Sequence, residues 1–302
     1  MQIVRRNLKR AFSTLLLGMT PFLSGCLGHT RIVPKTRVAT IVMTSDLDQL
    51  VKQIDARYSA IQTMNANIEI SGISGGSLQG EIKESIALGG YLFIRKPEDI
   101  RIYLKVPVVS SLAMDMVSDG KTFKLYDAYH HKAVVGSNQV TTPSKNGLEN
   151  LRPNVIFDAV LVHGVGDDQL VSVTLDTHIV DNSAISHKKD DLVEEPEYQL
   201  AILGKPQGKE VHTLRVIHID RKNLLPYKQE TYDESGQIVT RASYDNYQTI
   251  DGIQYPMKIQ IERPLDHYGL NLNITKLVLN QKLDDEQFDL KIPDGVPIQQ
   301  MN

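Results

Sequence analysis

The stretch Met257-Lys-Ile-Gln-Ile-Glu262 alternates apolar and polar side chains at every position, and Leu270-Asn-Leu-Asn-Ile-Thr275 repeats this pattern. Because successive side chains of a β-strand point to opposite faces, such alternation predicts strands with one apolar and one solvated face. Strands of this kind are typical of antiparallel sheets. The dipeptide Asp251-Gly252 precedes the first stretch, and Asp-Gly is a strong hairpin signal. This part of the chain therefore predicts an antiparallel meander.

The same alternation occurs throughout the chain. It is clearest at 67–71 and 100–106, and Asp119-Gly120 marks another hairpin. We count about eleven strands and no repeated βα unit, which excludes a parallel sheet. The predicted strands lie near 67–71, 100–106, 112–116, 123–125, 171–175, 198–202, 211–219, 226–233, 238–247, 254–263 and 268–280.

Two segments have the periodicity of helices instead. The first has Ser45 or Asp46 as a possible N-cap and ends near Met64. The second follows Pro153, because proline is favoured in the first turn of a helix. The fold class is therefore α+β and mostly β, with a few helices covering the sheet. The apolar stripe of the first helix comprises Leu47, Leu50, Val51, Ile54, Tyr58 and Ile61.

Composition limits the class of protein. The chain has 302 residues, 41% of them hydrophobic, and a single cysteine, so an intramolecular disulfide is impossible. Its net charge is −3, and the basic side chains of the first ten residues offset part of a more acidic remainder. A chain without a basic field is a poor partner for nucleic acid.

The N-terminus resembles bacterial lipoprotein signal peptides. Basic residues precede an apolar run at 11–23, which is too short for the roughly 20 residues of a membrane span. Leu23-Ser-Gly-Cys26 then matches the lipobox. The resemblance implies cleavage before Cys26 and a diacylglycerol thioether on its sulfur. Residues 1–25 would be the signal peptide, 26–44 the lipidated cysteine and tether, and 45–302 a single domain. The alternative is an ordinary signal peptide with a coincidental cysteine.

The body of the chain resembles the LolA/LolB-like family of periplasmic lipoprotein carriers and receptors. The likeness lies in Gly90-Tyr-Leu-Phe-Ile-Arg-Lys-Pro97, Asp119-Gly-Lys-Thr-Phe-Lys-Leu-Tyr126 and Tyr247-Gln-Thr-Ile-Asp-Gly-Ile-Gln-Tyr-Pro256, and it continues through Asn280, Phe288 and Pro293. It implies a bent antiparallel sheet, an incomplete barrel whose hollow holds acyl chains. The soluble carrier lacks a lipobox and the membrane receptor has one, so the resemblance favours a stationary, receptor-like role.

An apolar hollow of this kind needs no polar motif, because burying an acyl chain contributes about 0.8 kcal/mol per methylene. We expect its walls to come from the apolar faces of the strands. The alternative for each wall residue is ordinary core packing. The expected wall residues are Ile68, Ile70, Ile102, Leu104, Met114, Met116, Leu125, Ile259 and Leu272.

The connection Val106-Pro-Val-Val-Ser-Ser-Leu112 breaks the alternation. In the membrane receptor of the family the equivalent apolar loop projects toward the membrane. We therefore expect Val108 and Val109 to contact lipid or cargo. The alternative is a sheet edge covered by its own loop.

Motifs for catalysis and metal binding are weak. Gly72-Ile-Ser-Gly-Gly76 matches a nucleophile elbow formally, but no helix follows, so it is interpreted as a turn. His130 and His131 would point to opposite faces of a strand, and no histidine pair has metal-ligand spacing. We therefore expect no catalytic residues, no metal, no cofactor and no enzymatic activity.

The sequence thus predicts a lipid-anchored protein that faces the periplasm and binds lipid or the acyl chains of lipoproteins. Leu27 follows the cysteine in place of an aspartate that retains some lipoproteins at the inner membrane, which favours the outer membrane. The alternative is a non-enzymatic envelope interaction or stress-sensing module with a filled core and a protein partner.

Overall fold

The computed structural model describes residues 35–38, 42–76, 81–139, 152–187, 189 and 191–301. The predicted signal peptide, Cys26 and much of the predicted tether lie outside these residues. The strands are β1 (Arg37–Val38), β2 (Thr63–Gly76), β3 (Glu81–Glu84), β4 (Leu88–Arg95), β5 (Asp99–Lys105), β6 (Leu112–Ser118), β7 (Thr122–Asp127), β8 (Lys132–Ser137), β9 (Leu170–Asp181), β10 (Leu192–Leu203), β11 (Thr213–Asp220), β12 (Leu225–Tyr232), β13 (Ile238–Ile250), β14 (Ile253–Arg263), β15 (Tyr268–Leu279) and β16 (Ile298–Met301). The helices are α1 (Leu47–Ala60), α2 (Pro153–Val160), α3 (Ser183–Ser186) and a 3₁₀-helix (Asp285–Phe288).

The chain divides into two compact units. The smaller comprises Met1–Arg37 with Ile179–Val193, and the larger comprises Val38–His178 with Glu194–Asn302. Within the smaller unit, Arg37 binds Asp191 through two hydrogen bonds of 3.0 and 3.3 Å. Among the described residues, no helix has the length and apolar character that crossing a membrane requires.

The larger unit contains the sheet that the alternating pattern predicts. Its strand order is β10-β11-β12-β13-β14-β15-β2-β4-β5-β6-β7-β8-β16, and consecutive strands form a long antiparallel meander. One described pair, β8 with β16, is parallel. The hairpin predicted at Asp119-Gly120 joins β6 to β7, and Gly120 has the positive φ of 84° that such a turn needs.

The predicted number of strands is wrong. The described residues form sixteen strands where about eleven were expected, and β1, β3, β4, β8 and β16 are those that the alternation did not indicate. β1, β3 and β16 have two to four residues and are largely exposed, so they show no buried face. β4 begins Leu-Gly-Gly and β8 ends Gly-Ser, and glycine hides the pattern because it has no side chain to alternate.

Helix α1 begins where its N-cap predicts. The side chain of Asp46 accepts a 2.8 Å hydrogen bond from the backbone N–H of Gln49. Leu50 and Ile54 are 1% and 2% exposed, and they pack against apolar residues of β10 and β11. The apolar stripe of this helix is therefore confirmed. Helix α2 begins at Pro153, as predicted.

Two local interpretations are wrong. Gly72–Gly76 is not a turn but the end of β2, where Gly72 pairs with Leu270 and Ile73 with Glu84. Strands β15 and β3 pair with this segment from its two sides, and Gly75 within it has a positive φ of 98°. His130 and His131 do not lie on a strand, because they belong to the turn between β7 and β8.

Candidate functional site

The nine expected wall residues come together in one cluster on the sheet. Ile70 lies opposite Leu272, which lies opposite Ile259 on the next strand. Leu104 lies opposite Met114, and Met116 pairs with both Ile102 and Leu125. Seven of the nine are buried, and Met114 and Leu125 are partly buried against them. Contact between these residues and a ligand remains a prediction.

A cleft lies nearby in the larger unit and is lined by different residues. It contains about 490 Å³ of space not filled by atoms, including the part open to solvent. Its walls come from α1, from the end of α2, and from β12, β13 and β14. None of the nine expected residues lines it. The lining residues are Ile54, Arg57, Tyr58, Ile61, Val160, Leu161, Val162, Pro226, Tyr244, Tyr247, Ile253, Gln254, Tyr255 and Pro256.

Hydrogen bonds from tyrosines hold two walls of the cleft. The hydroxyl of Tyr255 donates to the carbonyl oxygen of Val160 at 2.8 Å. The hydroxyl of Tyr247 donates to the carbonyl oxygen of Pro226 at 2.6 Å. Burial raises the pKa of both phenols, so both stay neutral and act as donors. The tyrosines therefore contribute apolar ring surface to the cleft while their hydroxyls are satisfied in its walls.

A basic and aromatic group borders the cleft at Tyr58. The ammonium of Lys96 lies 3.4 Å from the centroid of the Tyr58 ring and donates a hydrogen bond to the Tyr58 carbonyl oxygen. Burial lowers the pKa of Lys96 to about 8. The Tyr58 ring also stacks on the imidazole of His163, with 4.8 Å between ring centroids. One side of the cleft thus has cationic character.

The loop that connects β5 and β6 is exposed at its apolar tip. Val108 is fully exposed, and Val109 is 69% exposed. Val108 also has a φ of 70°, which β-branched residues rarely adopt. The loop closes on itself through a 2.9 Å hydrogen bond from the Val106 N–H to the Ser111 carbonyl oxygen. Both valines that the sequence singled out are therefore available for contact.

Sequence reasoning did not identify Arg57, Tyr244, Tyr247 or Tyr255. The apolar alternation of β13 and β14 points to aliphatic residues, whereas these two strands also contribute three tyrosines to the lining of the cleft. A usable signal was the tyrosine density of Tyr244–Tyr255, because tyrosine combines a large apolar ring with a polar end.

The chain also resembles solved structures. A DUF1329 family protein from Desulfovibrio piger has a TM-score of 0.50 at 15% identity, over 80% of this chain and 94% of that one. A LolA superfamily protein from Nitrosomonas europaea has a TM-score of 0.47 at 16% identity, over 80% and 97%. A Vibrio parahaemolyticus domain, assigned provisionally to outer membrane lipoprotein sorting, has a TM-score of 0.47 at 12% identity, over 80% and 94%.

The similarity to solved structures concerns the fold of the chain. At 15% identity, the similarity to the Desulfovibrio piger protein shows a shared fold and nothing about activity. Residues 173–291 match a family described as an uncharacterized protein. No curated protein sequence matches the chain.

Proposed function

We propose that this chain is a non-enzymatic protein of the bacterial envelope that binds lipid or the acyl chains of lipoproteins. A lipid on Cys26 would hold it to a membrane, with the outer membrane favoured and the folded part facing the periplasm. The observation that carries the proposal is the cleft between α1, α2 and the sheet. Its lining is mostly aliphatic and aromatic, which suits an acyl chain because apolar burial is non-directional.

The exposed loop at Val108 supports the same function. Exposing apolar side chains to water is unfavourable in free energy, and contact with a lipid surface would remove these side chains from water. A protein that receives or donates acyl chains needs a region that contacts a membrane or a cargo. Val108 and Val109 are suited to that contact.

Mass spectrometry of bound lipid tests the proposal directly. The full chain with Cys26→Ser, which removes the sulfur to be lipidated, is purified without detergent and measured under native conditions. We expect a mass increment of one lipid that disappears in Ile253→Trp, because the larger ring fills the cleft. Ile238→Trp is the matched control. Ile238, on β13, is partly buried like Ile253, but it does not line the cleft. A protein without bound lipid, even after incubation with lipid, would contradict the proposal.

A filled core supports a second function. Ile68, Ile102, Leu104, Ile259 and Leu272 are at most 2% exposed and pack tightly in the sheet's own cluster. An envelope interaction or stress-sensing module would need only such a core and a partner protein. The mass spectrum that contradicts lipid binding would favour this alternative.

A further inference from the structure

Arg57 is a cation of the cleft whose charge is not balanced by a carboxylate. One of its terminal nitrogens, Nη2, donates a 3.1 Å hydrogen bond to the carbonyl oxygen of Leu224. The other, Nη1, is buried and has no hydrogen-bond partner among the described residues. No ion pair joins Arg57 to an acidic residue of the described chain. Because a guanidinium keeps its proton in proteins, Arg57 contributes to the cleft lining a cation with one unsatisfied donor.

Tyr244 is a second unsatisfied donor of the same cleft. It is 5% exposed, and its hydroxyl has no hydrogen-bond partner within the described residues. Burial raises the pKa of this phenol well above its ordinary value, so the hydroxyl stays neutral and can donate. Buried polar atoms are nearly always paired, and an orphan costs about 1–3 kcal/mol. Two orphan donors on one cleft therefore point to an absent acceptor.

The remainder of the lining specifies what that acceptor is attached to. Ile54, Ile61, Val162 and Ile253 provide aliphatic surface on different sides of the cleft. No lining residue is aspartate or glutamate, so the walls themselves do not repel an anion.

We infer that the cleft binds an anionic amphiphile, a molecule that joins an anionic headgroup to an acyl chain. Its carboxylate or phosphate accepts hydrogen bonds from Arg57 Nη1 and the Tyr244 hydroxyl, and its chain lies against Ile54, Ile61 and Ile253. This inference rests on the proposed function and narrows it, because it names the class of lipid. The neutral acyl groups at the N-terminus of a lipoprotein lack the anion that the two donors require.

A comparison of charged and neutral chains of equal length tests the inference. Binding of palmitate, palmitoyl lysophosphatidic acid and hexadecanol to the full chain with Cys26→Ser is measured by titration calorimetry. We expect at least one of the two anions to bind at least about tenfold more tightly than hexadecanol, since hydrogen bonds to charged groups are the strong ones. The stronger of the two anions identifies the headgroup as a carboxylate or a phosphate.

Variants assign the preference to the two donors. Arg57→Gln should abolish the preference for the anion over hexadecanol, whereas Arg57→Lys should keep part of it. Tyr244→Phe should weaken anion binding several-fold. Lys52→Gln is the matched control, because it removes one positive charge from the exposed face of the same helix. Thermal unfolding establishes that each variant is folded.

The outcomes separate this inference from the function on which it rests. Equal affinity for hexadecanol and both anions would overturn the inference and leave lipid binding intact. The inference would also be overturned if the preference for the anion survives in Arg57→Gln, or if Lys52→Gln reduces this preference as much as Arg57→Gln does. If none of the three chains binds, the proposed function fails together with the inference.

Discussion

The hydroxyl of Tyr255 on β14 donates a 2.8 Å hydrogen bond to the carbonyl oxygen of Val160 at the end of α2. The last carbonyls of a helix have no partner within it, so an outside donor is needed when the helix end is buried. Val160 is 2% exposed and Tyr255 3% exposed, so water cannot replace this donor. The bond therefore both satisfies the helix end and holds α2 against the sheet.

Tyr255→Phe should lower the free energy of unfolding by about 1–2 kcal/mol, because it leaves the buried Val160 carbonyl without a donor. Urea denaturation measures the change. Tyr129→Phe removes a hydroxyl from a side chain that is 80% exposed and should change stability by less than about 0.5 kcal/mol. Equal effects of the two substitutions would show that the bond does not support the helix.

Adjacent glycines on β4 offer a matched test of close backbone approach. A Cβ atom at Gly90 would lie 2.0 Å from the carbonyl oxygen of Tyr103, whereas one at Gly89 would meet nothing within 4 Å. We expect Gly90→Ala to destabilise the protein by about 1–3 kcal/mol, because β5 must shift away from β4. Gly89→Ala should be neutral or slightly stabilising. Denaturation midpoints check both, and an equal loss in the two variants would contradict the prediction.

The carboxylate of Glu197 makes the free energy of unfolding depend on pH. This carboxylate is 2% exposed, and burial alone would oppose its ionisation. Hydrogen bonds from His218, Gln199 and Tyr227 outweigh burial and lower its pKa from 4.5 to about 2. Since the folded-state pKa is depressed, the stabilisation is complete above about pH 4.5 and is lost as the pH falls toward 2.

Glu197→Gln should therefore flatten the decline in unfolding free energy between pH 4.5 and 2. The contribution lost over this range is about 3 kcal/mol, since one pKa unit corresponds to about 1.4 kcal/mol. Urea titrations across the range measure it. Glu234→Gln alters an exposed carboxylate in a turn and should leave the slope unchanged. An unaltered slope in Glu197→Gln would refute the assignment.

Membrane contact at the β5–β6 loop can be measured with an introduced fluorophore, because the chain contains no tryptophan. In vesicles that hold the lipidated protein, Val108→Trp should be quenched strongly by lipids with brominated acyl chains. Tyr129→Trp, on the exposed turn between β7 and β8, should be quenched at least about threefold less. We expect the membrane to contact the apolar tip of the β5–β6 loop and not this turn. Equal quenching at the two positions would exclude insertion of this loop.

Much of the fold could be predicted from residue periodicity. The strands near 211–280, the α1 stripe with Leu50 and Ile54, and the hairpin at Asp119-Gly120 all follow from local chemistry. Alternation reports a strand only when one face is buried, so exposed β3 and β16 gave no pattern to find.

The site could be predicted only in part. Apolar residues such as Ile102 and Leu272 were expected on one buried face and lie there together. Periodicity distinguishes a buried face from an exposed one, but it does not distinguish a filled core from an open cleft. For this reason periodicity did not predict that residues such as Tyr247 and Tyr255 line the cleft.

The sequence by itself determined helices α1 and α2, the strands that have one buried face, and the apolar face of the sheet, because these patterns depend on neighbours within a few positions of the chain. Only the tertiary structure decided where space remained and which donors faced it. Arg57 and Tyr244 are far apart in sequence, and they line one cleft because α1 packs across a sheet to which β13 belongs. Whether a buried donor finds a partner depends on such distant packing, which no local pattern encodes.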